Sequence, residues 1–488
     1  MPQSISQLPG APINKQVDPA GKSLNVIPRK YFRSISLKMG SALAIWLGTL
    51  LITRYGYNQA SLVTLMAYAT FFLAGFAVVW RSGATSIRIF ATVYGTATVA
   101  TVALAWIFTN AYGVPYWNGG SDELHYEEAG IEFAQRFGLF DYGAIREGIV
   151  QEWHNSVGYI YLMGLQVKFS ELFGGFHTMV PRLLNAACLA LLSVMVFNIG
   201  LRLRLQKRIA IAAALFSGCL PLMMWVSVQT LRDIIQTLLL VTLVYLWVPD
   251  HKNRWRYSVP VLILLSVLLL LPIWELRKPQ AFVALAIMAF AIVSNRSSYK
   301  PMQLVLLTLP IAMACAHLIS LFYAVLNKDV LDFIDATESY AELRGTGGTG
   351  GGLSSIVFET PLFPIGWLYR TTYALISPLP VEFLPIDKAW LSLGTVIHLL
   401  FLPFMWMGLK RAFWHQAWRL IAGAFVLLFI GMAMFTFSSR HITQYLPFAI
   451  LLAALGYENY LGDHRRVWLA MGALGAAMGV TYVVLKGL

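Results

Sequence analysis

Residues 88–111, RIFATVYGTATVATVALAWIFTNA, form an apolar segment long enough to cross a bilayer, and residues 118–128, Asn-Gly-Gly-Ser-Asp-Glu-Leu-His-Tyr-Glu-Glu, follow it with a dense acidic cluster. The rest of the chain is poor in charge, since only 12% of all residues are Asp, Glu, Lys or Arg. Carboxylates are costly near lipid unless they face water, a pocket or a partner. We therefore expect residues 118–128 to form a site at the mouth of a membrane protein.

The composition supports a polytopic membrane protein. Of the 488 residues, 58% are hydrophobic, whereas a soluble domain is about 45–50% apolar and about 25% charged. The net charge of +13 arises mostly from basic residues in short loops between apolar segments, where such residues act as orientation signals. No basic patch interleaved with aromatic residues occurs, so we do not expect nucleic-acid binding.

The apolar segments predict an all-α fold with about thirteen transmembrane helices, because a spanning helix needs about 20 mostly apolar residues. Candidate spans lie near residues 36–53, 59–80, 88–111, 178–200, 209–229, 232–248, 257–274, 279–294, 301–326, 387–409, 417–437, 441–459 and 467–486. Two further apolar segments, 155–173 and 361–380, are interrupted by Gly, Pro and charge. These two segments are typical of interfacial or re-entrant pieces.

Lysine and arginine fall in alternate loops, which predicts a cytoplasmic N-terminus in the plasma (inner) membrane. The predicted regions are a cytoplasmic tail (1–34), three spans (35–111), a first outer loop (112–177), further spans (178–326), a second outer loop (327–386) and C-terminal spans (387–488). The second outer loop contains the glycine-rich tract 345–352, which is either a flap over a site or a linker.

A juxtamembrane helix is expected at the start of the first outer loop. Gly119 and Gly120 permit a tight turn, Ser121 or Asp122 can cap the helix, and Gly138 is typical of its end. On this helix Asp122, His125 and Tyr126 share one face, and an apolar stripe on the membrane surface comprises Leu124, Ile131, Ala134 and Phe137. The acids then form either a functional site or a solvated face.

This arrangement resembles the GT-C superfamily of membrane glycosyltransferases, in particular the protein O-mannosyltransferases and the lipid A aminoarabinose transferase. The resemblance rests on Asp122-Glu123 opening the first large outer loop, on Tyr126 and on the overall topology. Here three spans precede the loop instead of one. The resemblance implies that the leading acid is the catalytic base or activates the acceptor, that the donor is a sugar on a polyprenyl phosphate, and that transfer inverts the anomeric centre.

The chemistry independently favours a carboxylate at this position. An acceptor hydroxyl has a pKa far above neutrality, so a base that takes its proton assists displacement of a phosphate-linked sugar. Asp122 is the candidate base, and Glu123 either orients the acceptor or holds a divalent cation such as Mg²⁺ or Mn²⁺ together with Asp122. His125, Tyr126, Glu152 and His154 are candidate substrate-binding residues in the same loop. The histidines lack the spacing of a transition-metal site.

The leaving lipid phosphate requires cations, because negative charge grows on its oxygens in the transition state. Basic residues at predicted outer-face positions are candidates for this role, and Arg277 and Arg440 are preferred because arginine can bind phosphate in bidentate fashion. The full candidate set is Arg277, Lys278, Arg370, Arg440, His441 and Tyr445. The alternative is that the basic residues anchor the interface. Arg232 and Asp233 are expected to form a structural ion pair, with a catalytic role as the alternative. Arg182 is expected to be similar, with contact to the donor as its alternative.

The sequence therefore predicts an enzyme that transfers a sugar from a polyprenyl-phosphate donor to a lipid, glycan or protein acceptor at the outer face of the membrane. One alternative is a polysaccharide polymerase or O-antigen-ligase-like enzyme that relies on the outer arginines. Another is a transporter or flippase of lipid-linked sugars, for which charged residues in mid-span and internal symmetry are expected. Neither feature is visible in the sequence.

Overall fold

The fold is all-helical in the part of the chain described by this computed structural model. The described residues are 29–59, 62–138, 140–145, 156–249, 257–294, 300–303, 386–435 and 439–485, with single residues 366, 369 and 371. The helices are α1 (Arg29–Gln59), α2 (Leu62–Val79), α3 (Ala84–Tyr112), α4 (Ser121–Arg136), α5 (Tyr142–Ala144), α6 (Val157–Glu171), α7 (Met179–Arg202), α8 (Lys207–Cys219), α9 (Pro221–Ser227), α10 (Asp233–Trp247), α11 (Val259–Leu276), α12 (Lys278–Ser294), α13 (Ile386–Trp414), α14 (Gln416–Phe435), α15 (Leu446–Asn459) and α16 (His464–Leu485).

Several of these helices can cross a membrane, as a multi-pass membrane protein requires. Five candidate spans occur among the described residues: Leu62–Ser82, Ala84–Tyr112, Met179–Arg202, Val259–Leu276 and Ala389–Trp414. A sixth results if the bent pair α8 and α9 counts as one span. Further apolar helices such as α10, α12 and α15 are shorter. The total of thirteen spans stays a prediction, and most of segment 301–326 lies outside the described residues.

The most lipid-exposed of these spans is α11. Only 22% of its apolar window is buried inside the protein, and its mean hydropathy is 2.4. Leu264, Leu268 and Leu271 follow one another at helical spacing and are 55–60% exposed. A face of this kind is expected to contact lipid chains.

A proline sets the bend between α8 and α9. Leu220 is extended (φ −61°, ψ 127°), and Pro221 then begins α9, where its missing N–H costs no hydrogen bond. The two helices are bent by 48°.

The chain between α3 and α7 contains a packed helical pair, α4 and α6. A Cβ added at Gly130 of α4 would overlap Met163 of α6, and one added at Gly164 of α6 would overlap Phe133 of α4. Glycine at both positions therefore permits the close approach of the two helices. The pair has its own apolar cluster, which includes Tyr126, Phe133, Ile160 and Met163 and extends to Leu231 and Leu276 at the ends of the membrane helices.

The start of α4 differs from the predicted one. The chain passes through three consecutive left-handed residues, Asn118 (φ 50°), Gly119 (φ 83°) and Gly120 (φ 97°), so the predicted tight turn is present. The N-cap is Gly120 and not Ser121 or Asp122, because both of these residues already belong to the first helical turn. The helix ends at Arg136, with Phe137 as its C-cap, close to the predicted end.

The buried face of α4 also differs from the expected apolar stripe. Its buried residues are Glu123, Tyr126, Glu127, Gly130, Phe133 and Ala134, of which only Ala134 belonged to that stripe. Two acids therefore face the protein instead of water. Polar partners from the membrane helices compensate for their burial, and helical periodicity within α4 cannot reveal partners that lie elsewhere in the chain.

Candidate active site

Asp122 and Arg440 meet in the folded chain although 318 residues separate them. The Arg440 Nη1 donates a hydrogen bond of 2.5 Å to the Asp122 Oδ2. Asp122 lies in the first turn of α4, and Arg440 lies in the short 3₁₀ helix Ser439–Gln444 that precedes α15. Their side chains are 33% and 27% exposed. The candidate base and the preferred phosphate ligand thus form one half-buried ion pair that solvent still reaches.

Two further arginines lie in the electrostatic field of this pair. The pKa of Arg277 is lowered to about 10, chiefly by burial and also by the charges of Arg232 and Arg440, against the opposing effect of Asp233. Burial also lowers the pKa of Arg440, but the carboxylates of Asp233 and Asp122 outweigh this effect and raise it above its usual value. Arg277, Arg232 and Arg440 therefore form a cationic group that is partly balanced by two aspartates.

Asp233 and His441 form a buried contact beside the three arginines Arg232, Arg277 and Arg440. The Asp233 Oδ1 lies 3.8 Å from the His441 Nε2, and both side chains are only 3% exposed. Beside them, the side-chain amide of Gln280 at the start of α12 donates to the Gln444 Oε1. Asp233 begins α10, where a carboxylate is stabilised by the free N–H groups of the first helical turn. His441 was expected to bind substrate, but it is buried against Asp233, which favours a structural role.

The second predicted catalytic acid, Glu123, is held by three donors. Its Oε2 accepts from the Thr230 backbone N–H at 2.9 Å and faces the Arg182 guanidinium at 3.4 Å, and its Oε1 accepts from the Trp117 backbone N–H at 3.2 Å. The residue is 4% exposed. Burial raises the pKa of its carboxyl, against the effect of Arg182 and the two N–H groups. These contacts favour a role in positioning α4 over direct contact with substrate.

Glu127, one helical turn further along α4, accepts hydrogen bonds from three hydroxyl groups. Its Oε1 accepts from Thr178 at 2.6 Å and from Thr230 at 2.7 Å, and its Oε2 accepts from the Tyr116 hydroxyl at 2.7 Å. Burial raises the pKa of Tyr116, and the Glu127 carboxylate raises it further. Together with Glu123, this residue fastens α4 to α7 and to the segment between α9 and α10.

Asn185 of α7 holds that segment in place. Its side-chain amide donates to the Gln229 carbonyl and to the Leu231 carbonyl, each at 2.8 Å. The intervening Thr230 is thereby fixed with its N–H on Glu123 and its hydroxyl on Glu127. Asp122 is presented at the site because the following residues of α4 are anchored in this way.

The remaining predicted residues in the described part of the chain occupy different surroundings. His125 is exposed, whereas Tyr126 is 3% exposed, with its hydroxyl 3.1 Å from the Ser156 Oγ and its ring 5.8 Å from the Arg232 guanidinium. Lys278 is partly buried at the start of α12. Tyr445 is fully buried, with its ring against Phe425 and Phe429, which favours a packing role. Glu152, His154, Arg370 and the glycine-rich tract 345–352 lie outside the described residues.

The two carboxylates predicted to share a cation contact different arginines. Asp122 pairs with Arg440, and Glu123 faces Arg182. Within the described ranges, no group of three or more His, Cys, Asp or Glu side chains is arranged to hold a metal ion.

The sequence analysis named Asp122 and Arg440 as candidates, but it did not name several residues that surround and position them. Asp233 and Arg232 were predicted to form a structural ion pair. Their position at a predicted outer-face helix end could have indicated that they belong to the candidate site. Asn185 carries no signal in the sequence, because it is a single polar residue in an apolar context. Thr230 and Gln280 lie close to the charged residues Asp233 and Lys278, which could have drawn attention to them. Comparison of the chain with family models, with curated proteins and with solved structures found no match.

Proposed function

We propose that this protein is a membrane glycosyltransferase that transfers a sugar from a polyprenyl-phosphate donor to a lipid, glycan or protein acceptor, with inversion at the anomeric carbon. The observation that carries the proposal is the contact between Asp122 and Arg440 beside Arg277 and Arg232. It places a solvent-accessible carboxylate next to a set of cations, and this displacement reaction needs both. The resemblance to the GT-C superfamily is consistent with the same assignment.

The reaction is a single displacement. The acceptor hydroxyl oxygen forms a bond to the anomeric carbon, its proton passes to the Asp122 carboxylate, and the bond from the anomeric carbon to the phosphate oxygen breaks. The electron pair of that bond stays on the departing phosphate, where Arg440 and Arg277 stabilise it. The outer face of the membrane and a cytoplasmic N-terminus belong to this proposal.

Arg440 can bind the phosphate while it still contacts Asp122. Its Nη1 donates to the carboxylate, and the side chain as a whole is 27% exposed, so part of the guanidinium stays accessible. A guanidinium carries five N–H donors in a fixed planar arrangement. The phosphate can therefore occupy the unused donors while the carboxylate stays beside the reacting hydroxyl.

A polymerase or ligase for lipid-linked glycans is the second candidate, since three arginines cluster at the site and the Asp122 carboxylate is already paired. The Asp122→Asn variant separates the two functions. In cells that lack the native gene, each variant is expressed and the glycolipids are quantified by mass spectrometry. We expect Asp122→Asn to lower product by about 10²- to 10⁴-fold, as for loss of a general base.

Glu128→Gln is the matched control, because it removes an exposed acid from the same helix. It should leave the glycolipid profile unchanged. A small effect of Asp122→Asn would favour the arginine-dependent polymerase or ligase. Movement of a lipid-linked sugar across reconstituted liposomes without bond formation would instead indicate a transporter.

A further inference from the structure

One cavity lies at the opposite end of the helices from the Asp122 site. It has a volume of about 600 Å³ and lies where α7, α13 and α15 end and where α8 and α14 begin. Arg182 of α7 contacts the candidate site, and Arg202 of the same helix lines this cavity. At 1.5 Å per helical residue, about 30 Å separates the two positions. Nothing in the proposed transfer reaction involves this cavity.

The cavity carries an excess of positive charge. Arg202, Arg204, Arg411 and His415 line it, and Glu458 is the only acid among its lining residues. Glu458 is already engaged, because it accepts a hydrogen bond from the Gln206 backbone N–H at 3.1 Å. The guanidinium of Arg202 lies 3.8 Å from the ring centroid of Tyr245, which fixes its position. An anion is the complementary ligand for such a lining.

Arg204 occupies a backbone conformation that normally belongs to glycine. Its φ is +65°. The Leu205 N–H donates to the Gly200 carbonyl at 2.9 Å, and the Arg204 N–H donates to the Leu201 carbonyl at 3.1 Å, as at the end of a helix closed by a left-handed residue. A side chain is disfavoured there, and strained residues of this kind concentrate at functional sites. Arginine at this position places a third guanidinium in the cavity.

An apolar cavity of about 520 Å³ adjoins the basic one and shares Arg411 and Asn459 with it. Its lining includes Met407, Trp414 and Leu461, and the latter two are 72% and 100% exposed. Lys410 also lines this cavity, and its ammonium lies 5.1 Å from the ring centroid of Trp406, which is a typical arrangement at a membrane interface. A charged compartment beside an apolar one fits a molecule with an anionic head and a hydrocarbon chain.

We propose that these two cavities form a binding site for an anionic phospholipid. The phosphate of the headgroup lies among Arg202, Arg204 and Arg411, and an acyl chain lies against Met407 and Trp414. The charge and the apolar surface favour a lipid over a soluble phosphate compound, although both present the same phosphate chemistry to the arginines.

The experiment measures lipid retention by purified, delipidated protein with native mass spectrometry. Phosphatidylglycerol and phosphatidylcholine with identical acyl chains are added in separate samples, and inorganic phosphate is added in a third. We expect phosphatidylglycerol to be retained at least about tenfold better than phosphatidylcholine, since both carry the same phosphate but the arginines repel the cationic choline group of phosphatidylcholine. Inorganic phosphate at the same concentration should not displace it.

Two double variants test the location of the site. Arg204→Gly with Arg411→Gln removes two cavity charges and should lower phosphatidylglycerol retention by about tenfold or more. Lys207→Gln with Arg208→Gln removes two charges from exposed residues just beyond the cavity and should retain the lipid. Single Arg204→Gly and Arg411→Gln variants are measured as well, in case the first double variant does not fold.

The proposal is overturned by any of three results. These are equal retention of the two lipids, an equal loss in the control double variant, and displacement of the lipid by inorganic phosphate. The last result would assign the arginines to a soluble phosphate compound instead.

Discussion

Acidic and basic side chains are arranged differently at the two ends of the helix bundle. At the end that carries Asp122, three acids are paired with basic residues from distant segments: Asp122 with Arg440, Glu123 with Arg182, and Asp233 with His441. The positive charges of Arg232 and Arg277 beside them are only partly balanced. At the other end, three arginines and a histidine surround a cavity that contains a single, already engaged glutamate. Matched charges hold helices together and define a geometry, whereas an excess of one sign attracts a ligand of the other.

The difference follows from the cost of burial. Glu123 and Arg182 are almost fully buried, and an unpaired ion in that position would be expensive. The cavity arginines Arg204 and Arg411 are exposed, so their charges cost less there than in a buried position. Asp122 and Arg440 lie between these extremes, paired but still about one third exposed. This intermediate position is suited to chemistry, because the pair is both ordered and reachable.

The largest expected effect comes from breaking the half-buried ion pair of Asp122 and Arg440. Arg440→Gln removes the guanidinium that contacts Asp122 and that would stabilise the departing phosphate. We expect turnover to fall by about 10²- to 10³-fold, as for loss of one donor to a developing oxyanion. Arg440→Lys should recover part of the activity, because it keeps the charge but not the planar set of donors. Glycolipid product in complemented cells is the measurement.

Arg136→Gln is the control for this prediction, since it breaks the exposed ion pair between Arg136 and Glu132 on the same helix as Asp122. Such pairs contribute about 0–1 kcal/mol, so product formation should be unchanged. If Arg136→Gln lowered product as strongly as Arg440→Gln, the effect would reflect the integrity of α4 and not the chemistry at Arg440.

The next effect distinguishes the two buried glutamates. Glu123→Gln leaves Arg182 buried without its countercharge, and we expect it to lower the free energy of unfolding by about 3 kcal/mol. Glu127→Gln should cost only about 1 kcal/mol, because the hydroxyls around this residue can rotate to accept from the new amide. Thermal unfolding of the purified variants in detergent measures both. Equal losses would show that the contact with Arg182 contributes nothing beyond hydrogen bonding.

The smallest effect concerns the strained residue of the basic cavity. Arg204→Gly should raise the free energy of unfolding by about 1 kcal/mol, because glycine adopts a positive φ without steric cost. The same replacement two residues earlier, Arg202→Gly, lies within α7 and should destabilise by about 1 kcal/mol or more. Unfolding midpoints that move in the same direction for both variants would contradict the strain at Arg204.

The sequence predicted correctly that the chain is helical and apolar enough for the membrane. It also predicted the turn at Gly119 and Gly120 and the helix that follows. These features depend on local composition and spacing, which determine backbone conformation over a few residues. The predicted site residues Asp122 and Arg440 came from separate arguments about separate segments. That they contact each other was not predictable, because no spacing rule relates residues so far apart.

The sequence did not predict the burial of Glu123 and Glu127, because the groups that compensate for it lie in other segments of the chain. Glu123 and Glu127 belong to an acidic cluster that, within α4 alone, would be placed toward solvent. They are buried because α7 contributes Arg182, the cap of α7 contributes Thr178, and the segment before α10 contributes Thr230. The sequence by itself therefore determined the helices and the residue types available for chemistry. Only the tertiary structure decided which charges are neutralised and which stay available, because the cost of burying a charge depends on partners brought together by folding.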